Sequence, residues 1–215
     1  MTHLVEDPAA VARALLAGRL AILPTETVYG LAARADDPVA IARLYAAKGR
    51  PVDHPVIVHA HDAAVLDPAA GWVRDAPAYA RDLAAAYWPG PMTLVLARGP
   101  RAGDDVTGGQ DTVAVRVPAH PGARAALAGM DGQDPARAPH GVAAPSANRF
   151  GRVSPTTVRH ALDELDGVLD ADDVALDGGE CCVGLESALV DCKGGPPRIL
   201  RPGALTAADG VGPTA

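Results

Sequence analysis

The first sixty residues alternate between helical and extended patterning. Pro8 to Ala17 reads as a helix, with Asp7 placed to cap it, Pro8 at its first position and Gly18 placed to end it. Leu20 to Leu23 is an unbroken apolar run stopped by Pro24, the pattern of a buried strand. Asp37 and Pro38 open a second helix through Ala47, whose apolar positions Val39, Ile41, Leu44 and Tyr45 roughly follow helical spacing. Pro55 to His59 reads as the next strand. This β-α-β order predicts a sheet covered by helices.

The rest of the chain keeps that rhythm. Helices are predicted over Asp75 to Tyr87, Pro121 to Ala128 and Thr156 to Leu165. Strands are predicted over Met92 to Ala97, Thr112 to Val117, Val142 to Ala144, Val174 to Leu176, Ser187 to Val190 and Arg198 to Leu200. Gly129 to Gly141, rich in Gly, Pro and Asp, reads as a mobile surface loop. No internal repeat, heptad run or linker divides the chain. A single domain over 1–205 with a short tail over 206–215 is expected.

Composition narrows this picture. Of 215 residues, 48% are hydrophobic and only 3% aromatic, so the core must be built from Ala, Val, Leu and Ile, as an α/β layered fold allows. The net charge of −7 argues against nucleic-acid or membrane binding driven by global charge, though not against a local basic pocket. The longest uncharged stretch, Leu83 to Ala97, is too short and too broken by Pro89, Gly90 and Pro91 to span a bilayer. The N-terminus shows no basic and apolar leader. Three cysteines, Cys181, Cys182 and Cys192, form no CxxC pair, and an odd count suits a reduced, cytoplasmic protein. There is no P-loop, GxGxxG, HExxH or GxSxG motif. His59 and His61 would share a strand face, but spacing shows no third metal ligand, so no protein-held metal is expected.

Rare residue types mark the chemistry. The chain has only two lysines (Lys48 and Lys193), three serines (Ser146, Ser154, Ser187) and one asparagine, Asn148. Pro24-Thr25-Glu26-Thr27-Val28-Tyr29-Gly30 places hydroxyls and a carboxylate just past a strand, where open α/β sheets bind ligands; the same residues would also serve as a capping turn. Lys48-Gly49-Arg50-Pro51 sets two cations at a helix end, fit to clamp a polyphosphate or simply to complement the helix dipole. In Thr112 to Val117, Thr112, Ala114 and Arg116 share one strand face, where the arginine either snorkels to solvent or lines a pocket and pairs with a carboxylate. Ala144-Pro145-Ser146-Ala147-Asn148, with Gly151 and Ser154-Pro155-Thr156, is a small, hydroxyl-rich loop that lets a nucleotide approach the backbone; Ser154 equally suits the cap of the next helix. Gly184-Leu185-Glu186-Ser187 and Arg201-Pro202-Gly203 complete the set.

In order and spacing, PTETVYGL, KGRP, HPVIVH, YWPGPMTLVL, DTVAVRVP, APSAN with SPT, GLES and ILRPG resemble the YrdC family of threonylcarbamoyladenylate synthases, from about Leu15 to Gly203. The resemblance implies one α/β domain with a twisted, mixed sheet and a deep concave site. It implies condensation of L-threonine, bicarbonate or CO2, and ATP to threonylcarbamoyl-AMP and pyrophosphate. Downstream transferase proteins would place the product on adenosine 37 of tRNA, and direct tRNA contact by this chain is left open. By motif, Thr27, His59, Arg116, Ser187 and the backbone near Ala144 would hold threonine. Arg50, His54, Thr112, Ser146, Ser154 and Arg201 would hold ATP, with Lys48 beside the phosphates; Lys48 and Arg50 form the catalytic pair, and Mg2+ rides on the phosphates. The sequence departs from the family at Ala188, where a second hydroxyl is usual, and at Phe150, where a small polar residue is common. No additional C-terminal domain closing over the site is expected. The alternatives are an RNA- or tRNA-binding module without nucleotidyl transfer and the related carbamoyl-adenylate chemistry of hydrogenase-maturation proteins.

Overall fold

The computed structural model describes residues 2–203 and 205; the expected tail over 206–215 lies outside them. The apolar run after α1 (Pro8–Leu16) becomes β2 (Ala21–Leu23), which is buried along its whole length. Its side chains alternate. Leu23 and Ala21 pack with Val11 and Leu15 of α1 and with Leu127 and Met130 of α5 (Pro121–Gln133). Ile22 points the other way, into a cluster with Ile41 and Leu44 of α2 (Pro38–Lys48) and the fully buried Trp72. A strand with helices on both faces has no polar side, hence the unbroken apolar pattern.

Around β2 runs a mixed sheet of ten strands among the described residues. In chain order the others are β1 (His3–Val5), β3 (Gly30–Arg34), β4 (Ile57–His59), β5 (Met92–Ala97), β6 (Thr112–Arg116), β7 (Val142–Ala143), β8 (Val174–Leu176), β9 (Ala188–Asp191) and β10 (Arg198–Arg201). Their spatial order is β1-β8-β2-β3-β7-β4-β6-β5-β9-β10. β4 lies parallel to β6 and β5 parallel to β9, whereas β3 to β7 and β5 to β6 are antiparallel. The helices α3 (Ala78–Tyr87), α4 (Asp104–Thr107) and α6 (Val158–Glu164) complete the fold.

Two sequence expectations need correction. Gly129 to Gly141 is not a loop throughout: α5 continues to Gln133, and a 3₁₀ turn follows at Pro135–Arg137. The reason lies in packing. A Cβ on Gly129 would stand 3.2 Å from that of Ala12, so this glycine serves the close approach of α5 to α1. Secondly, Ser154 does not cap the following helix. Thr157 does, accepting the His160 backbone N–H at 3.2 Å, and α6 accordingly starts at Val158. Asp7 and Asp37 cap α1 and α2 as their positions predict.

Candidate active site

Along the central strands one face is core and the other is open. Val58 of β4, Val113 and Val115 of β6, and Leu94 and Leu96 of β5 all enter the cluster around Trp72. Their alternates, His59, Thr112, Ala114, Arg116 and Val95, floor a cavity of about 330 Å³, walled by Thr27, Ala144, Ser146, Ser187 and Arg201. This is the period-2 arithmetic of a strand turned into a site. Gly30 sits on the same face of β3 as Ala32, which packs under α1 and α5, so the cavity continues the face those helices cover.

The inner end is built around a buried cation. Arg116 donates through Nη2 to Glu26 Oε1 at 2.6 Å, through Nη1 to Thr27 Oγ1 at 3.0 Å and through Nε to the Gly90 carbonyl at 3.1 Å. Glu26 Oε2 accepts the Ala119 backbone N–H at 3.0 Å. Arg116 is 3% and Glu26 7% exposed, so both charges are desolvated, and only their mutual pairing makes that tolerable. Thr27 is fixed in turn by Thr25, whose Oγ1 lies 2.8 Å from Thr27 Oγ1. His59 stands opposite Arg116 in the β4–β6 register. Burial, aided by the neighbouring guanidinium, pushes its imidazole down to about 3, so it is neutral at physiological pH. Its Nδ1 is buried without a hydrogen-bond partner among the described residues. Ser187 Oγ lies 2.8 Å from Thr93 Oγ1, across the β5–β9 pair.

The outer end is cationic and more open. Gly49 takes φ 61° at the end of α2, a turn that favours glycine, and sends Arg50 to the cavity wall. Arg50 donates to the carbonyls of His54 at 3.2 Å and Pro55 at 2.8 Å and pairs with no carboxylate among the described residues. Arg201 donates to Glu186 and, at 3.0 Å, to the Ser187 carbonyl. Ser154 donates to the other Glu186 oxygen at 3.2 Å. The net result is one uncompensated guanidinium beside two neutralised pairs, next to hydroxyls of Thr112 and Ser146.

The sequence over residues 13–203 matches the Sua5/YciO/YrdC family, described as telomere recombination. The chain belongs to this family. Within it, the chain is 42% identical over 188 residues to the threonylcarbamoyl-AMP synthase of Pyrococcus abyssi, covering 87% of this chain and 51% of that protein. It is 40% identical over 205 residues to the Bacillus subtilis threonylcarbamoyl-AMP synthase, covering 93% and 55%. The chain thus spans about half the length of these relatives. The fold also superposes on the crystal structure of P. abyssi Sua5 complexed with L-threonine, with a TM-score of 0.83 and 37% identity over 94% of this chain and 57% of that one.

Of the residues singled out by sequence, this Sua5/YciO/YrdC domain brings Thr27, Arg50, His59, Thr112, Arg116, Ala144, Ser146, Ser187 and Arg201 to one cavity. Three stand outside its wall. Ser154 lies one hydrogen bond behind Glu186. His54 packs its ring edge-on against Phe150, with centroids 5.2 Å apart, and contributes its carbonyl to Arg50 and Tyr45. Lys48 is 3% exposed, and its ammonium is turned onto the Ser146 and Asn148 carbonyls, each at 2.5 Å. Burial, with Arg50 adding repulsion, lowers that ammonium to about 8.

Sequence reasoning placed both carboxylates in candidate motifs without assigning their partners, and it missed one hydroxyl of the site. Glu26 and Glu186 sit inside motifs already singled out, but nothing in one dimension pairs them with Arg116 and Arg201. Thr93 had a signal, being a lone hydroxyl within the apolar strand MTLVLA. Elsewhere, burial raises Cys181 to about 11 and Cys192 to about 12, so both are thiols at neutral pH and poor nucleophiles. Among the described residues, no three His, Cys, Asp or Glu side chains group to hold a metal ion, and no helix is long and apolar enough to cross a membrane.

Proposed function

We propose that this chain is an L-threonylcarbamoyl-AMP synthase acting in the cytoplasm, its product consumed by a separate tRNA threonylcarbamoyltransferase. The observation that carries this reading is the partition of one cavity into a buried, hydroxyl-lined end and an open end with an unpaired guanidinium. Threonine fits the first end. Arg116 suits its carboxylate, and Thr27 and Ser187 offer hydroxyls for its own. Hydrogen bonding of that hydroxyl separates threonine from valine by far more than apolar shape does. ATP fits the second end, with Arg50 and Arg201 towards the phosphates and Thr112 and Ser146 along the nucleotide. That the P. abyssi relative was crystallised with L-threonine supports the amino acid's identity.

The reaction then needs no covalent nucleophile. The threonine ammonium gives up a proton to water, and the free amine then adds to CO2, releasing a second proton to water and giving a carbamate. A carbamate oxygen attacks the α-phosphorus of ATP, and the bond to the β-phosphate bridging oxygen breaks, releasing pyrophosphate. With its basicity reduced to about 3, His59 is too weak a base to take the ammonium proton; it acts as a neutral hydrogen-bonding partner of the amino acid. Mg2+ enters with ATP as part of the substrate; the wall carboxylate Glu186 is engaged by Arg201 and Ser154. Catalysis is positioning plus cationic stabilisation of the phosphoryl transition state and leaving group.

The test is to incubate the purified chain with MgATP and bicarbonate and to follow pyrophosphate with each of the twenty amino acids. Threonine alone should stimulate release strongly. Arg50→Ala should lower that turnover about 100-fold or more while the circular dichroism stays wild type, as expected for loss of a cation aimed at developing charge. Release indifferent to threonine would overturn the reading.

A further inference from the structure

Resting on the synthase reading, we infer that Lys48 is a positioning residue: its ammonium holds the Pro145–Asn148 segment in the shape that presents Ser146 to the cavity, and it does not itself bind the substrate's phosphates. The backbone accounting of that segment points this way. The Ala144 N–H donates to the Ile57 carbonyl, the Ala147 N–H to that of Tyr29, and the Pro145 carbonyl accepts from Leu31. The carbonyls of Ser146 and Asn148 receive Lys48 Nζ, at 2.5 Å each. A buried carbonyl without a donor is costly, and a lysine brings several rotatable donors to one point.

Other contacts bind the same two loops together. The Phe150 N–H donates to the Lys48 carbonyl at 2.9 Å. The Arg50 guanidinium lies 5.7 Å above the Phe150 ring. Asn148 Nδ2 donates to the Arg149 and Arg152 carbonyls at 2.8 Å, closing the turn beyond. Lys48 therefore sits at the centre of a clasp, with one end carrying Arg50 and the other Ser146, both on the cavity wall where Lys48 is absent. Two of the three ammonium donors are committed to these carbonyls, and Lys48 stays off the cavity wall. No carboxylate among the described residues pairs with it, so the ammonium is retained for the carbonyls it holds.

The test compares the full chain with Lys48→Met and, as the charged control, Lys48→Arg. It reads backbone hydrogen exchange of the 144–153 peptide together with equilibrium binding of ATP and of AMP. In Lys48→Met, exchange over 144–153 should quicken at least tenfold while peptides from β5 and β6 keep wild-type protection, and Lys48→Arg should recover part of the difference. Affinities for ATP and AMP should fall by the same factor, within threefold, because the lost element is the loop and not a phosphate contact. Adding Ser146→Ala to Lys48→Met should cost little more than either change alone. Wild-type protection over 144–153 in folded Lys48→Met, or loss of ATP binding with AMP binding intact, overturns the assignment. Should Lys48→Met not fold, Lys48→Gln takes its place under the same criteria. Failure of the wild type to release pyrophosphate with threonine would sink the synthase reading alone, since the exchange measurement does not depend on turnover.

Discussion

The floor of the cavity holds one buried cation and one buried imidazole side by side in the β4–β6 register, and only one of them is charged. Glu26 compensates Arg116, so the guanidinium keeps its charge. His59 has no carboxylate partner among the described residues and is held neutral. This has a consequence for stability. In the unfolded chain the imidazole takes a proton near 6.5, whereas in the folded chain it does so only near 3. Between those values the unfolded state binds the extra proton, so the fold loses stability as pH falls from about 6.5 towards 3 and keeps this contribution in full above 6.5. The loss is bounded by about 1.4 kcal/mol per pH unit. Urea unfolding at pH 7 and pH 4.5 should therefore show a smaller acid loss for His59→Gln than for the wild type. Equal losses would mean that His59 is protonated in the folded state.

Strand elements carry the site because their alternation places every second residue on it, and this sets what one dimension can reveal. The arithmetic over Thr112 to Val117 is legible, and Thr112, Ala114 and Arg116 do share the cavity face. β3 is not legible. Gly-Leu-Ala-Ala-Arg has neither the β-branched residues nor the alternation of a strand, and it is held extended by neighbours on both edges and helices on both faces. Gly129 is misleading for the opposite reason, since a residue that usually marks a loop here lets two helices touch. Thr93 shows how an element reaches the site indirectly. It is fully buried on β5, and its hydroxyl orients Ser187 across the parallel pair. Thr93→Val should keep the shape and lose that bond. Stability should fall by about 1 kcal/mol, the net worth of one hydrogen bond. The KM for threonine should rise several-fold with ATP affinity unchanged. A threonine KM equal to wild type would show that Ser187 needs no such orientation.

At the scale of the whole molecule, charge and site have opposite signs. The chain carries 26 acidic against 19 basic residues, yet its cavity presents a guanidinium with no acidic partner among the described residues. Many other arginines are matched on the spot: Asp36 alone receives Arg34, Arg101 and Arg137, and Asp173 receives Arg43. A surface whose cations are already paired has few counterions to release from a polyanion, and counterion release is what drives sequence-independent nucleic-acid binding. A small triphosphate differs, because it can enter a cavity with an unpaired cation on its wall. The two classes of ligand should therefore separate in one experiment. Filter binding of unmodified tRNA in about 0.15 M salt should give a Kd weaker than about 100 µM, the weak end of nonspecific binding. ATP should be held by the cavity, and held less well by Arg50→Ala. Tight tRNA binding that weakens steeply as salt rises, in a chain that releases no pyrophosphate, would instead favour an RNA-binding module. Weak tRNA binding with threonine-dependent turnover would favour the synthase reading over the RNA-binding module.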